Sequence, residues 1–282
     1  MPGLAQQTGI LQSVAQAISP VVPMYSGCTL GGSRAYQVDD GESDVEMYFY
    51  SLAEPPTLDC VNDCMHQLGA AHRRSPDFMW DRPPWGPHSF FELDGLYFEV
   101  GYRNVYDMSS RLLAYLKGSV QPERDCHDLG LGYMPGGLAA SVHAERVIDA
   151  RGDEIAKLKQ LVARFPHHLR AALEAEYLDT ARSLLDGKVS LAAKRGDVFA
   201  YDALAARVVR AMMVMAFALS STHFPGDKWN EALLRRSSWR NVDKFLALLR
   251  THSGDPGSDS EHLRAKHALL GRALALLERE AT

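Results

Sequence analysis

Cysteine is scarce in this chain of 282 residues, which carries four, Cys28, Cys60, Cys64 and Cys126. So few thiols, so scattered, exclude a disulfide scaffold at this length. Cys60 and Cys64 stand four apart on an expected helix, with His66 and His72 close behind. No second Cys/His pair at zinc-finger spacing follows, so reduced, partly buried thiols are expected. Basic charge is also in short supply: 30 Lys+Arg against 35 Asp+Glu leave a formal net charge of −5. A protein that works mainly by gripping nucleic acid is usually basic overall, so such a partner is disfavoured, although a local basic patch could still serve. Long apolar runs are missing too. The longest, Ala211 to Leu219, falls far short of the roughly 20 residues a membrane span needs. The N-terminus lacks the charged start of an export signal: the first basic residue is Arg34, and Gln6, Gln7 and Gln12 interrupt any apolar core. A soluble, cytoplasmic chain is expected.

What is present is ample material for a core, 46% hydrophobic residues, in a length that suits two modest domains. Thr8 to Ser19 reads as a helix stopped by Pro20 and Pro23. Met24 to Thr29 and Val45 to Leu52 read as strands. Thr57 is placed to cap a helix reaching about Ala71, with Leu58, Val61, Met65 and Leu68 on one face. A loop over residues 73–88 is rich in Pro and Trp, and its Trp80 and Trp85 are candidates either for lining an acceptor pocket or for simple packing. Asp94-Gly95, between Ser89–Leu93 and Leu96–Tyr102, is a strong hairpin signal. A helix over Val105 to Leu116 and a last strand over Val142 to Ile148 complete the first half.

From about Asp153 the pattern turns helical, with candidate helices over Asp153–Phe165, Pro166–Leu185, Val198–Ser221, Asn241–Leu249 and Glu261–Glu280. Gly187, Gly196, Pro225-Gly226 and a surface loop over Ser253–Ser260 punctuate them. The expected architecture is α+β: a mixed-sheet domain over residues 1–151, then an all-helical domain over 152–282.

The informative segment is Gly31-Gly32-Ser33, followed by Asp44-Val45-Glu46. Adjacent glycines let a backbone approach a ligand closely and expose amide N–H groups, and the serine hydroxyl adds a donor. A helix beginning near Ser33 would add a field favourable to phosphate. Asp44 and Glu46, two apart on a strand, point to one face while Val45 and Met47 point to the other. Carboxylates that close repel unless a cation sits between them, and hard oxygen ligands suit Mg²⁺. Glu99 lies mid-strand in Leu96–Tyr102, where a charge is costly unless compensated, either beside Asp44 and Glu46 or by pairing with Arg103. Three acids on adjacent strands match the needs of two-metal phosphoryl transfer. Glu145 is a further acid near the last expected strand.

This pattern of Gly32-Ser33, Asp44-x-Glu46 on a strand and Glu99 on a later strand resembles the DNA polymerase β-type nucleotidyltransferase superfamily. It is most similar there to small bacterial antibiotic nucleotidyltransferases such as the aminoglycoside and lincosamide adenylyltransferases. Looser similarity runs through Arg146-Val147-Ile148-Asp149 and Phe224 to Trp229. The resemblance implies a nucleotidyltransferase domain followed by a helical domain, with Asp44, Glu46 and Glu99 as catalytic residues and metal ligands. Glu99 would serve as a ligand or as the general base. Gly32 and Ser33 would bind the β- and γ-phosphates, and Lys228 resembles a residue that contacts the triphosphate. The implied cofactor is Mg²⁺, two ions, with ATP or another nucleoside triphosphate as co-substrate. The implied reaction is transfer of a nucleoside monophosphate to a hydroxyl of a small, aminoglycoside-like acceptor. The same pattern would also serve an enzyme modifying tRNA or protein, or a nucleotide-binding module without turnover. Two departures stand out: the family usually has glycine four residues after the serine, where this chain has Gln37, and the second and third acids are glutamates where many relatives use aspartate.

Overall fold

Apolar residues at alternate positions of Val45–Ser51 and Leu96–Asn104 must put one face of each strand against a core, because successive side chains point to opposite sides. The computed structural model describes residues 4–72, 86–122, 133–254 and 259–281. Trp80, Trp85 and Cys126 lie outside the described residues, as does the middle of the expected loop over Ser253–Ser260.

The strands are β1 (Tyr25–Leu30), β2 (Val45–Ser51), β3 (Ala71–His72), β4 (His88–Leu93), β5 (Leu96–Asn104) and β6 (Arg146–Ala150). They form a mixed sheet in the order β3-β4-β5-β2-β1-β6. β2 and β5 run parallel, and the other neighbours are antiparallel. The hairpin joining β4 to β5 turns at Asp94 and Gly95, both at positive φ (51° and 74°), as a two-residue primed turn requires.

On one face of the sheet, Cys28, Leu30, Val45, Met47, Phe49, Phe91, Phe98, Val100 and Tyr102 form a buried core with two helices. These are α1 (Leu4–Ile18), through Ile10, Val14 and Ile18, and α3 (Leu58–Gln67), through Val61 and Met65. Thr57 caps α3 by accepting the Cys60 amide. Between β1 and β2 lies a single helical turn, α2 (Gly32–Tyr36). After β5 come α4 (Val105–Leu116), α5 (Pro135–Ala144) and, beyond β6, α6 (Glu154–Val162).

Three expectations are corrected here, the first being that α3 stops at Gln67, short of Ala71, which lies in β3. Val142 to Ala144 close a helix rather than open a strand, and the strand begins at Arg146. The alanine-rich run behind Pro135 favours helix over the β-preference of Val142. Lys159 then donates to the carbonyls of Val142, His143 and Glu145, ending α5. Gly187 does not break the chain. It lies inside a continuous helical run made of α7 (His167–Leu173), α8 (Asp179–Leu184) and α9 (Ser190–Arg195), joined by five-residue π-helical segments.

The chain divides into two compact units. The first takes its described residues from Met1–Ala114, Glu123–Tyr133 and Leu138–Arg164; the second from Tyr115–Pro122, Met134–Gly137 and Phe165–Thr282. The first holds the sheet. The second is helical, centred on α10 (Val198–Leu219), whose Tyr201, Ala205, Val208, Met212 and Met215 make one buried stripe. α11 (Asn230–Leu234), α12 (Val242–Gly254) and α13 (Ser260–Ala281) complete it. Among the described residues no helix is long and apolar enough to cross a membrane.

Candidate functional site

With Val45, Met47 and Phe49 committed to the core, Glu46, Tyr48 and Tyr50 occupy the opposite face of β2. The same alternation on β5 assigns Phe98, Val100 and Tyr102 to the core and Glu99, Gly101 and Arg103 to that opposite face. The parallel register then sets Glu46 beside Glu99, Tyr48 beside Gly101 and Tyr50 beside Arg103. Two of the three expected acids are therefore direct neighbours across the sheet. Like charges in that relation repel unless something compensates them.

The Gly31-Gly32-Ser33 segment joins the end of β1 to α2 on this same side. The Gly31 amide donates to the Glu46 carbonyl at 2.8 Å, which ties the turn to the acid-bearing strand. Gly32 sits at φ +58°, and its Cα lies against the Glu46 carboxylate so closely that a Cβ there would collide with it. Gly31 is needed for a different reason: a Cβ on it would strike the ring of Tyr48. Ser33 is 2% exposed, and its Oγ has no hydrogen-bond partner. A buried hydroxyl left without a partner costs about 1–3 kcal/mol.

Asp44 precedes β2 and is half-buried. Its backbone is fixed by Arg34, whose Nε donates to the Asp44 carbonyl and whose Nη2 donates to the Ser43 carbonyl, both at 3.0 Å. Among the described residues no group of three or more His, Cys, Asp and Glu side chains is gathered as a metal cage. Glu46 and Glu99 are brought together by register; Asp44 stands two residues before Glu46, just ahead of β2, and is not gathered with them into a cluster of three. Lys228 belongs to the helical unit, where its Nζ stands 5.8 Å from the centroid of the Trp229 ring.

Behind the acids lies a buried polar network that sequence reasoning did not assemble. The Tyr48 hydroxyl donates to Glu46 Oε2 at 2.6 Å. The Arg103 guanidinium stacks over the Tyr48 ring, 3.3 Å from its centroid, and donates to Glu145 Oε1 at 2.5 Å. Glu145 also accepts from Tyr50 (2.6 Å), Thr29 (2.7 Å) and Ser141 (2.9 Å). Burial pushes the Glu145 carboxyl up, but Arg103 and those three hydroxyls outweigh it and hold the group below its usual range. Arg103 is thus the partner of Glu145, not of Glu99. The signal in the sequence was the period-two set Glu99-x-Gly101-x-Arg103 beside Glu46-x-Tyr48-x-Tyr50.

One neighbour of Glu99 is His88, whose Nε2 lies 3.7 Å from Glu99 Oε1. Burial pushes the His88 imidazole down to about 4, so it is neutral at neutral pH. Its Nδ1 bonds the Gly86 carbonyl at 2.8 Å, which leaves the lone pair of Nε2 toward Glu99. His88 therefore offers no positive charge to offset the two acids.

A family model described as "Domain of unknown function (DUF4037)" matches residues 134–230. No curated protein matches. Among solved structures, the chain is similar to a nucleotidyltransferase-like protein from Exiguobacterium sibiricum at 13% identity and a TM-score of 0.44, over 97% of this chain and 75% of that one. It is also similar to a spectinomycin adenyltransferase from Enterococcus faecialis, solved with ATP and spectinomycin, at 12% identity and a TM-score of 0.36, over 97% of this chain and all of that one. At such scores the likeness is general, and the reading of the site rests on its own geometry.

Proposed function

We propose that this chain is a nucleotidyltransferase that moves a nucleoside monophosphate, AMP from ATP, onto a hydroxyl of a small acceptor of the aminoglycoside kind. The observation that carries the reading is the meeting of the Glu46 carboxylate with the Gly32-Ser33 turn, where the buried Ser33 Oγ has no partner. A carboxylate and a phosphate cradle in contact are what a metal–triphosphate complex demands, since each half alone would repel or ignore the other.

The residues fit Mg²⁺. This ion is commonly held by one or two carboxylates, with water and substrate phosphate oxygens completing its shell, so a cage of three protein side chains is not required. Glu46, with Asp44 two residues before it and Glu99 beside it, supplies that set. Bound there, Mg²⁺ would neutralise charge on the triphosphate and lower the pKa of the acceptor hydroxyl.

The chain's own residues do the rest. Ser33 donates its hydroxyl to a phosphate oxygen. Gly32 allows that oxygen close to the backbone. Glu99, a quarter exposed, takes the proton of the acceptor hydroxyl as its oxygen bonds to the α-phosphorus and the bond to pyrophosphate breaks. Positioning and charge account for the rate, with little covalent work for the protein.

Incubation with each α-labelled nucleoside triphosphate and Mg²⁺, across aminoglycosides, other hydroxylated small molecules, tRNA and proteins, tests the reading directly. Label should move to a small acceptor with stoichiometric pyrophosphate. Glu46→Gln and Glu99→Gln should each lower kcat by at least about 100-fold, and Ser33→Ala should weaken triphosphate binding roughly tenfold. Triphosphate binding without release of pyrophosphate under any acceptor would reduce the chain to a binding module.

A further inference from the structure

The buried network behind the acids is not needed to bind a triphosphate, and an ion pair inside a sheet is a poor way to gain stability, because desolvating two charges offsets most of their attraction. Its layout suggests another purpose. The Tyr48 ring has almost no freedom: Gly31 closes one side, and Gly101 lies at the other, where a Cβ would come within 2.9 Å of Tyr48 Cδ1. Arg103 covers a face of the ring at 3.3 Å. Arg103 is itself fixed by Glu145, by the Tyr50 hydroxyl at 3.0 Å and by Ser141 at 3.4 Å.

From this rigid assembly a single hydroxyl emerges on the acids. Tyr48 donates to Oε2 of Glu46, which leaves Oε1 as the oxygen nearer Gly32. A cation over the ring withdraws electron density and strengthens that donor.

We infer that Tyr48, Arg103 and Glu145 form a positioning unit for Glu46, in which Arg103 and Glu145 act through Tyr48 to fix the one carboxylate oxygen offered to the metal. The inference rests on the metal reading of Glu46 given above and adds the residues that orient it. Hydrogen-bonding partners of metal ligands set ligand orientation and basicity, and their loss lowers metal affinity by about 10–100-fold.

The test is Mn²⁺ binding to the full chain, followed by electron paramagnetic resonance in the presence of a non-hydrolysable ATP analogue, for the unaltered protein and for Tyr48→Phe. Phenylalanine keeps the ring, its stacking on Arg103 and its fit between the glycines, and removes only the donor. Tyr48→Phe should bind Mn²⁺ about tenfold more weakly, with a cooperative thermal transition retained and a higher Mg²⁺ requirement for turnover. A purely structural hydroxyl would alter the melting temperature and leave the Mn²⁺ affinity where it was.

Equal Mn²⁺ affinities in the two proteins would overturn the positioning unit and leave the nucleotidyltransferase reading standing. Failure of the unaltered protein to bind Mn²⁺ would remove the metal reading, and the positioning unit with it. If Tyr48→Phe does not fold, the near-ultraviolet tyrosine difference spectrum of the unaltered protein decides. Mg²⁺ must perturb a buried tyrosine, and a flat spectrum at saturating Mg²⁺ and ATP analogue overturns the inference.

Discussion

Gln37 ends α2 at φ +56° and ψ +44°, in the left-handed region, where a side chain other than glycine crowds the following carbonyl. Glycine is the usual residue at this place in a helix end. Glycine four residues after the serine is also what the superfamily resemblance expects, and the structure gives the reason: the position closes the turn that carries Ser33. The departure at Gln37 therefore bears on the stability of the turn. Gln37→Gly should raise the unfolding free energy by about 1 kcal/mol, read as a higher urea midpoint at unchanged slope. A lower midpoint would mean that the contacts of the glutamine side chain outweigh its backbone strain. Other single residues divide along similar lines. Glu46 and Glu99 were legible because strand alternation names the face they share. The partner of Arg103 was not, because Glu145 stands 42 residues away and sequence spacing speaks only for near neighbours.

Elements were legible in proportion to the strength of their local signals. The Asp94-Gly95 hairpin, the Thr57 cap and the helix over Val105–Leu116 combine turn or cap chemistry with periodicity, and the structure has all three. Where propensities conflict, tertiary context decides. Val142 reads as strand but completes an alanine-rich helix, and Gly187 reads as a stop but lies within a helical run. Glycine thus has opposite meanings in different elements, and this can be measured. Gly31 and Gly101 flank the Tyr48 ring, and a Cβ on Gly101 would also stand 2.7 Å from His88 Nε2. Gly31→Ala and Gly101→Ala should each cost about 1–3 kcal/mol, as overpacking of a full interior does. At Gly187 a Cβ would meet nothing within 4 Å, and the residue is helical. Gly187→Ala should therefore gain up to about 1 kcal/mol. Calorimetric melting of the three variants checks the contrast. A stabilised Gly31→Ala would show that Tyr48 is not held as tightly as the sheet-face geometry requires.

At the scale of the whole molecule, the charge pairs among the described residues range from exposed to fully buried, with different consequences at the two ends. Pairs such as Lys157–Asp153 and Arg182–Asp179 are more than half exposed on both sides, and pairs of that kind contribute little. The Arg103–Glu145 pair and His88 are buried in the sheet unit, so these groups weigh on the response of the fold to acid. His88 takes its proton at about 4 when folded, against 6.5 for the free side chain. The unfolded chain therefore binds a proton that the fold refuses, and stability falls as pH drops from 6.5 towards 4, by about 3 kcal/mol in all. Glu145, held below its ordinary 4.5, contributes in full above that value, and its contribution is lost as pH falls further. Urea midpoints measured from pH 8 to pH 3 should thus be level above about 7 and decline in two overlapping stages below it. His88→Gln should shrink the upper stage, to which His143, also held below its ordinary value by burial and Lys159, contributes, and keep the lower one. Because both groups are shielded from solvent, added salt should leave the profile nearly unchanged. A decline that salt erases would assign acid sensitivity to the surface pairs instead.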